Sequence, residues 1–569
     1  MPAPRSLMHL NLKGGISMTH QVFPPKHQGR QGFYDVSIYR AALGRYPTIN
    51  DLIAEKAQEN EDKVWLEFQD GRTFTYRQTY TQSLQLATGL RQRGVKEGDH
   101  VAIFALNSPE WILSYFAILL AGAVPVTVNT GFIKDPLVYN LKASDSSFVI
   151  VDARLLPRYI EIQDKVDSIK QVMLIGKDKA AGAEALTKPY SFIEDLLSTK
   201  FDTIQKVTLN GKDTCAMILT SGTTGPSKVV ADCHAQFITT ALFLVDAGAI
   251  GPGSVVYTYL PLFHIMALDM ATLASMIAND KIVLVETFNP GAFWQHVQKY
   301  KVTHFHAVGP ILEMLFKQPV SDMEKNHGPL TAVAYCSKEI WTIAQQRFNI
   351  AITGGYGSTE VGIPVSAPWD ISRAGKNPPG ACGLVGPHVE VEIMDERGEM
   401  LPPGKAGEIV VRPKIPWTIF TEYYGMPKAT ATAFKGLWFH TGDAGYFDEY
   451  GYLYFVDRLK DAIRRKGENI SSYEVEQILL KHPKISEVIV VPAPSEVGED
   501  EVMAVVVPNG DLTPGEVVDY SKENMPHFWV PRYIRFVETL PRTPTGKIEK
   551  FKMRKEGLTS DTFDRKNEM

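Results

Sequence analysis

Between Thr214 and Val230 the chain reads TCAMILTSGTTGPSKVV, an apolar strand running into hydroxyls, glycines and a lysine. Thr220, Ser221, Thr223 and Thr224 offer donors, Gly222 and Gly225 let backbone amides approach an anion closely, and Lys228 adds positive charge. Such a loop suits phosphate, with a polar surface loop as the bland alternative. The Walker A spacing G-x-x-x-x-G-K-[ST] is missing. His264, after Pro261-Leu262-Phe263, reads as a pocket residue or as a satisfied core histidine. His304 and His306 flank Phe305 on an expected strand and face one side. They have no clear third ligand, so packing or pocket lining is expected rather than metal. Cys215, Cys233, Cys336 and Cys382 show no CxxC or CxxH spacing and are expected as reduced thiols of a cytoplasmic protein.

These residues need a scaffold. The chain has 569 residues, too many for one core, and its 44% hydrophobic and 22% charged composition is that of a globular protein. A net charge of −5 gives no global pull toward nucleic acid. No secretory signal is expected in residues 1–18, and either Met1 or Met18 serves as the start. Trp111–Val128, the longest apolar run, is expected as a buried helix leading into a buried strand rather than a membrane span. Short apolar runs at His100–Leu106, Ser147–Val151, Gln171–Ile175, Val255–Leu260, Lys281–Glu286 and Thr331–Tyr335 alternate with helical patterns, which predicts α/β layers with largely parallel sheets. After about Pro378, Glu390–Met394, Glu408–Val411 and Tyr452–Val456 predict a small antiparallel β unit. The last stretch reads helix, strand, strand, helix at Ser472–Lys481, Glu487–Val491, Val502–Pro508 and Pro514–Glu523. The fold class is therefore α/β. A large N-terminal domain of two layered α/β sheets plus a small β unit is followed by a smaller α+β C-terminal domain, with a boundary near Asp457–Lys460.

Three further segments join the loop. They are Gly355–Glu360 (GYGSTE); Trp438–Asp443 (WFHTGD) with Tyr454–Lys460 (YFVDRLK) and Lys466–Ile470 (KGENI); and Pro541–Lys547 (PRTPTGK). In this order they resemble the signature motifs of the adenylate-forming superfamily: acyl-CoA synthetases, peptide-synthetase adenylation domains and beetle luciferases. The resemblance covers about residues 45 to 550. It implies a 1–44 extension, a 45–457 domain holding the ATP and acyl sites, and a mobile 458–569 domain bringing a catalytic lysine. The loop departs from the family at Val229, where glycine is usual, and at Pro226, two places before the lysine. Tyr335–Glu339 (YCSKE) departs from the usual Ser-Gly-Gly-Ala.

The resemblance also implies chemistry. A carboxylate attacks the α-phosphorus of ATP to give acyl-AMP and pyrophosphate, and a thiolate then displaces AMP. Positioning and charge neutralisation matter more there than a protein nucleophile. Glu360, with Thr220, is the implied Mg2+ ligand. Thr359 donates to the α-phosphate, and Tyr356 offers a face to adenine beside Gly355, Gly357, Ser358 and Ser337. Asp443 accepts the ribose hydroxyls, reinforced by Arg458. Lys547 is the adenylation cation. Phe263 and His264 border the acyl pocket, Lys460 is the hinge, and Lys466, Gly467 and Glu468 face coenzyme A. The implied protein is an ATP-dependent, AMP-forming acid–CoA ligase of the fatty-acid type, needing ATP, Mg2+ and CoA. It is expected to be cytoplasmic, without nucleic acid or membrane span, with a homodimer as an open assembly. Ala292–Tyr300, Thr418–Tyr423 and Tyr454–Asp457 look most like carnitine and crotonobetaine–CoA ligases, then medium-chain acyl-CoA ligases. Phe263, Phe305 and Tyr356 would supply an aromatic cage for a trimethylammonium group or line a plain acyl pocket. Two rival readings stand: loading an acid onto a carrier protein's phosphopantetheine, and a non-catalytic ATP-binding scaffold. The presence of Lys547, Glu360 and Asp443 argues against the scaffold.

Overall fold

Segments that are apolar at every position become parallel strands covered on both faces. The computed structural model describes residues 9–10, 16–17, 35–198, 207–220, 227–248, 250–336, 338–368, 378, 380–458, 462–465, 468–496, 498–541 and 548–568. Among these, one sheet runs in the order Glu422–Tyr423, Lys228–Cys233, Thr214–Thr220, Val124–Thr127, His100–Phe104, Phe148–Asp152, Gln171–Ile175, Tyr190–Phe192. From Thr214–Thr220 outward to Tyr190–Phe192 its pairs are parallel; Lys228–Cys233 turns back antiparallel, with Thr220 opposite Lys228. The second sheet runs Ala351–Thr353, Thr331–Tyr335, His304–Val308, Val255–Thr258, Lys281–Leu284, Val64–Phe68, Thr73–Thr75, parallel except for the last hairpin. That hairpin lies far upstream of the strands it joins, so local pattern does not announce it.

Helices Pro109–Leu120 and His234–Asp246 are buried along almost their whole lengths, in one core with strand residues of both sheets. Trp111–Val128 accordingly splits into that first helix, N-capped by Ser108 onto the Trp111 amide at 3.1 Å, and the strand Val124–Thr127. No helix among the described residues is long and apolar enough to cross a membrane. The four cysteines are free thiols.

The antiparallel unit forms from Val389–Met394, Gly407–Pro413, Trp438–Phe447 and Leu453–Arg458, with Phe434–Lys435 on its edge. Beyond it, Ala462–Arg465 pairs with Glu468–Ser471 as a hairpin. A four-stranded sheet follows, of Ile485–Pro494, Asp500–Pro508, Tyr533–Phe536 and Phe563–Asp564, with helices Ser472–Leu479, Pro514–Asn524 and Lys550–Glu556. This C-terminal part packs on the first sheet's side: Trp529 meets the Phe132 ring edge-on at 6.0 Å, and Lys481 pairs with Asp135. At the other end, helix Val36–Arg45 docks by Tyr39, whose hydroxyl donates to Asp246 at 2.9 Å and whose ring stacks on His388.

Candidate active site

The strand Thr214–Thr220, which leads into the expected phosphate loop, ends beside its antiparallel return, where Thr220 Oγ1 lies 3.5 Å from the Lys228 carbonyl. Val229 pairs with Leu219 and its side chain is buried. At that strand position a Cβ packs into the core, which accounts physically for valine where the resemblance led us to expect glycine. Lys228 lies over the Tyr423 ring at 4.4 Å, and the same tyrosine donates its hydroxyl to Glu360 Oε1 at 3.0 Å. Tyr423 thus sits between the loop lysine and the expected metal ligand.

Glu360 belongs to a tight turn after the strand Gly355–Ser358, which pairs antiparallel with Gly362–Ser366. A Cβ on Gly357 would lie 2.1 Å from the Gly362 carbonyl oxygen, so this crossing demands glycine. The turn is held from below by Gln236, wholly buried on helix His234–Asp246, whose amide donates to the Thr359 carbonyl at 2.8 Å. Asp443 lies on Trp438–Phe447 just after Gly442, which takes φ +74° and donates its amide to Glu408 at 3.0 Å. Tyr356 donates its hydroxyl to Asp443 Oδ2 at 2.7 Å, joining two motifs 87 residues apart. Arg458 is Asp443's partner across the ladder.

These elements wall a cavity of about 460 Å³. Thr220, Ser227, Gly357, Ser358, Thr359, Glu360, Thr441 and Asp443 form its polar side. Phe263, Met266, Met270, Phe288, Val308 and Ile311 form an apolar side. A third side comes from Asn129, Thr130 and Phe132 with the C-terminal Arg464, Glu468, Phe528 and Trp529. There Glu468 Oε2 lies 2.9 Å from His264 Nε2 and accepts from Asn129 Nδ2 at 3.3 Å. The Glu468 hairpin therefore reaches into the large domain's cavity. A second clasp lies just before the strand Lys228–Cys233: Ser227 donates its amide and hydroxyl to Glu474, at 3.1 and 2.6 Å. Burial raises the Glu474 carboxyl above its ordinary range, and the two Ser227 bonds pull it back.

Of the expected site residues, Thr220, Gly357, Ser358, Thr359, Glu360, Asp443, Phe263, His264 and Glu468 share this cavity. Gly355, Tyr356 and Lys228 lie in its supporting layer, off its lining. Ser221, Gly222, Thr223, Thr224, Gly225, Ser337, Lys460, Lys466, Gly467 and Lys547 lie outside the described residues. The aromatic cage does not gather. Phe305 is wholly buried in a separate aromatic core, 5.1 Å edge-on to Phe293, and Tyr356 is turned to Asp443. His304 and His306 are core residues off the cavity lining, their imidazoles pushed down by burial to about 4 and about 3. Sequence reasoning missed Tyr423, Gln236, Asn129 and Glu474. Only Tyr423 carried a signal, as the last residue of the singled-out TIFTEY.

The family model described as AMP-binding enzyme matches residues 53–424, and that of its C-terminal domain matches 474–547. The chain belongs to the AMP-binding enzyme family. The crotonobetaine/carnitine–CoA ligase of Salmonella paratyphi B is 32% identical over 492 residues, covering 84% of this chain and 92% of its own. That of Citrobacter koseri is 32% identical over 490 residues, with the same coverage. Among solved structures, amide bond synthetase McbA from Marinactinospora thermotolerans matches with TM-score 0.74 and 26% identity, over 89% of this chain and 99% of its own. A double mutant of o-succinylbenzoate CoA synthetase from Bacillus subtilis, bound to a product analogue, shares the fold with TM-score 0.75 at 24% identity, over 89% and 98%.

Proposed function

We propose that the chain is an ATP-dependent, AMP-forming acid–CoA ligase. In the first step a carboxylate oxygen attacks the α-phosphorus of ATP, a new P–O bond forms, and the bond to pyrophosphate breaks. In the second, the CoA sulfur attacks the acyl carbonyl, the bond to AMP breaks, and the thiol proton leaves to solvent or a base. The observation carrying this reading is the three-sided cavity. Its polar wall suits nucleotide and phosphates, its apolar wall an acyl tail, and its third wall opens between the two parts of the chain. CoA-ligase relatives favour coenzyme A over a carrier protein as acceptor.

Asp443 is assigned to the ribose hydroxyls, oriented by Tyr356, and Thr359 with Ser358 to the α-phosphate. Glu360 and Thr220 fit a divalent cation of a particular kind. They are hard oxygen donors on the cavity wall, and the described residues hold no cluster of three His, Cys, Asp or Glu groups for a metal cage. Such a wall suits Mg2+ that keeps water and phosphate ligands. When bound, the ion neutralises phosphate charge as pyrophosphate departs. Tyr423 holds the Glu360 carboxylate for it, and Gln236 fixes the turn. Lys547 is assigned as the adenylation cation and Arg458 to the ribose, with domains 45–457 and 458–569 alternating about Lys460. The Glu468 contacts support reading this arrangement as the thioester-forming one, with Lys466–Glu468 on the CoA side. The test measures acid-dependent pyrophosphate release from ATP, then acyl-CoA by mass after CoA is added. Both products support the reading; ATP cleaved to ADP, or no acid dependence, overturns it.

A further inference from the structure

Behind the Thr359–Glu360 turn, off the cavity lining, stands a wholly buried acid, Asp232. It lies on the strand Lys228–Cys233 directly after the apolar Val229, Val230 and Ala231. Gln236 follows four residues later, in the first turn of helix His234–Asp246, and is also wholly buried. Its amide nitrogen donates to the Thr359 carbonyl at 2.8 Å. Gln236 is also the side chain whose hydrogen bonding draws on the Asp232 carboxyl.

The donors here do not suffice for an ionised aspartate. Both Asp232 oxygens and Gln236 Oε1 are buried acceptors without a partner at full hydrogen-bond geometry among the described residues. One Gln236 N–H is engaged by Thr359, so a single amide hydrogen would face three acceptors. Charge does not compensate, because each described group coupled to Asp232 by charge is itself an acid. They are Glu360 on the turn, Asp269 on the π-helical turn Leu268–Leu273, Tyr115 on helix Pro109–Leu120, Cys215 on the neighbouring strand, and Cys233. Burial drives the Asp232 carboxyl well above its ordinary range, and Glu360 pushes the same way. A protonated carboxyl pairs with a primary amide through two bonds, its O–H to the amide oxygen and an amide N–H to its C=O. That pairing occupies all three acceptors and leaves the other N–H for Thr359.

We infer that Asp232 is a positioning residue for adenylation: paired with the Gln236 amide, it locks the group that holds the Thr359 carbonyl, and so aims Thr359 and Glu360 at the phosphates. It acts as an uncharged partner, without touching substrate. The inference rests on the ligase reading and adds a layer behind the cavity's polar wall.

The test uses the full-length enzyme and reads the two half-reactions separately. Asp232→Asn keeps a two-bond pairing with Gln236 and carries no charge, so acid-dependent pyrophosphate release should stay within about threefold of the parent. Asp232→Val, suited to a buried strand, breaks the pairing, and that release should fall by about tenfold or more. Conversion of preformed acyl-AMP to acyl-CoA should stay within about threefold in both variants, because Glu360 serves the departing pyrophosphate only in the first step. Gln236→Leu should repeat the selective loss, and the double variant should be no slower than the slower single one. Gln236→Leu also decides the matter if the valine variant does not fold. Infrared difference spectra of the parent against Asp232→Asn at neutral pH should show the C=O stretch of a protonated carboxyl in the parent alone. An asparagine variant as slow as the valine one, no loss in Asp232→Val, equal losses in both half-reactions, or a carboxylate band in place of the carboxyl one overturns the inference while leaving the ligase reading intact. A parent that releases no pyrophosphate with any acid would instead strike the ligase reading itself.

Discussion

Removing the Glu468 carboxylate should separate the two half-reactions. Its Oε2 meets His264 Nε2 at 2.9 Å and Asn129 Nδ2 at 3.3 Å, both across the seam between the parts of the chain. A hydrogen bond to a charged group contributes about 1.5–3 kcal/mol when well buried. Here the side chains retain 35% exposure at His264 and 20% at Glu468, so water competes for the charge. Roughly 1–2 kcal/mol is therefore the reasonable worth of the contact, discounted for that screening. At about 1.36 kcal/mol per decade this is roughly a 5- to 30-fold effect. The contact exists only while the hairpin faces the cavity, so the loss should fall on that arrangement. Glu468→Ala should convert preformed acyl-AMP to acyl-CoA about 5- to 30-fold more slowly. Acid-dependent pyrophosphate release should stay within about threefold of the parent, since adenylation does not require this hairpin position. Rapid-quench measurement of each half-reaction reads both rates. A cycle with His264→Ala should show non-additivity of the same size, because the two mutations delete one shared contact. Equal losses in both half-reactions, or strictly additive mutants, would refute the reasoning and leave Glu468 as a solvated turn residue.

The other expectations follow from single contacts. Asp443→Ala should weaken ATP binding by tenfold to a hundredfold, through lost charge-assisted bonds of about 1.5–3 kcal/mol, as read by calorimetry; unchanged affinity would reduce Asp443 to a partner for Tyr356. Gly357→Ala should distort the Glu360 turn, because its Cβ would lie 2.1 Å from the Gly362 carbonyl oxygen, and adenylation should fall more than tenfold; wild-type rates would show that the turn relaxes freely. Asp280, whose carboxyl burial raises to about 7, should favour the folded state while protonated, so its contribution declines as pH rises from about 4 toward 7. Asp280→Asn should therefore gain thermal stability over the parent at pH 8 and little at pH 4; a pH-independent difference would refute the shift.

What could be read in the sequence divides along a physical line. Strands such as Gln171–Ile175 and Thr331–Tyr335 match their expected bounds because burial on both faces calls for a near-continuous apolar run, a purely local property. The edge hairpin Val64–Phe68 with Thr73–Thr75 escaped, since it completes a sheet whose neighbouring strand begins at Lys281. The same division runs through the site. Thr359, Glu360 and Asp443, proposed here for phosphate, metal and ribose, were legible as motif residues, and the fold brings all three to one cavity. The residues that aim them were not. Tyr423 reaches Glu360 from 63 positions away and Gln236 reaches Thr359 across 123, while Glu468, itself named from its motif, meets His264 across 204, a pairing the motif does not announce. For Tyr423 and Gln236 no composition or period names the target, since a tyrosine in a packing stretch and a glutamine on a buried helix look alike wherever they point. Their function arises only when topology closes the distance. The Glu468 contact goes further, because it joins two parts of the chain proposed to move, so its partner is fixed by the arrangement adopted as well as by the fold. For that reason half-reaction rates, rather than overall turnover, are the measurement that can assign it a role.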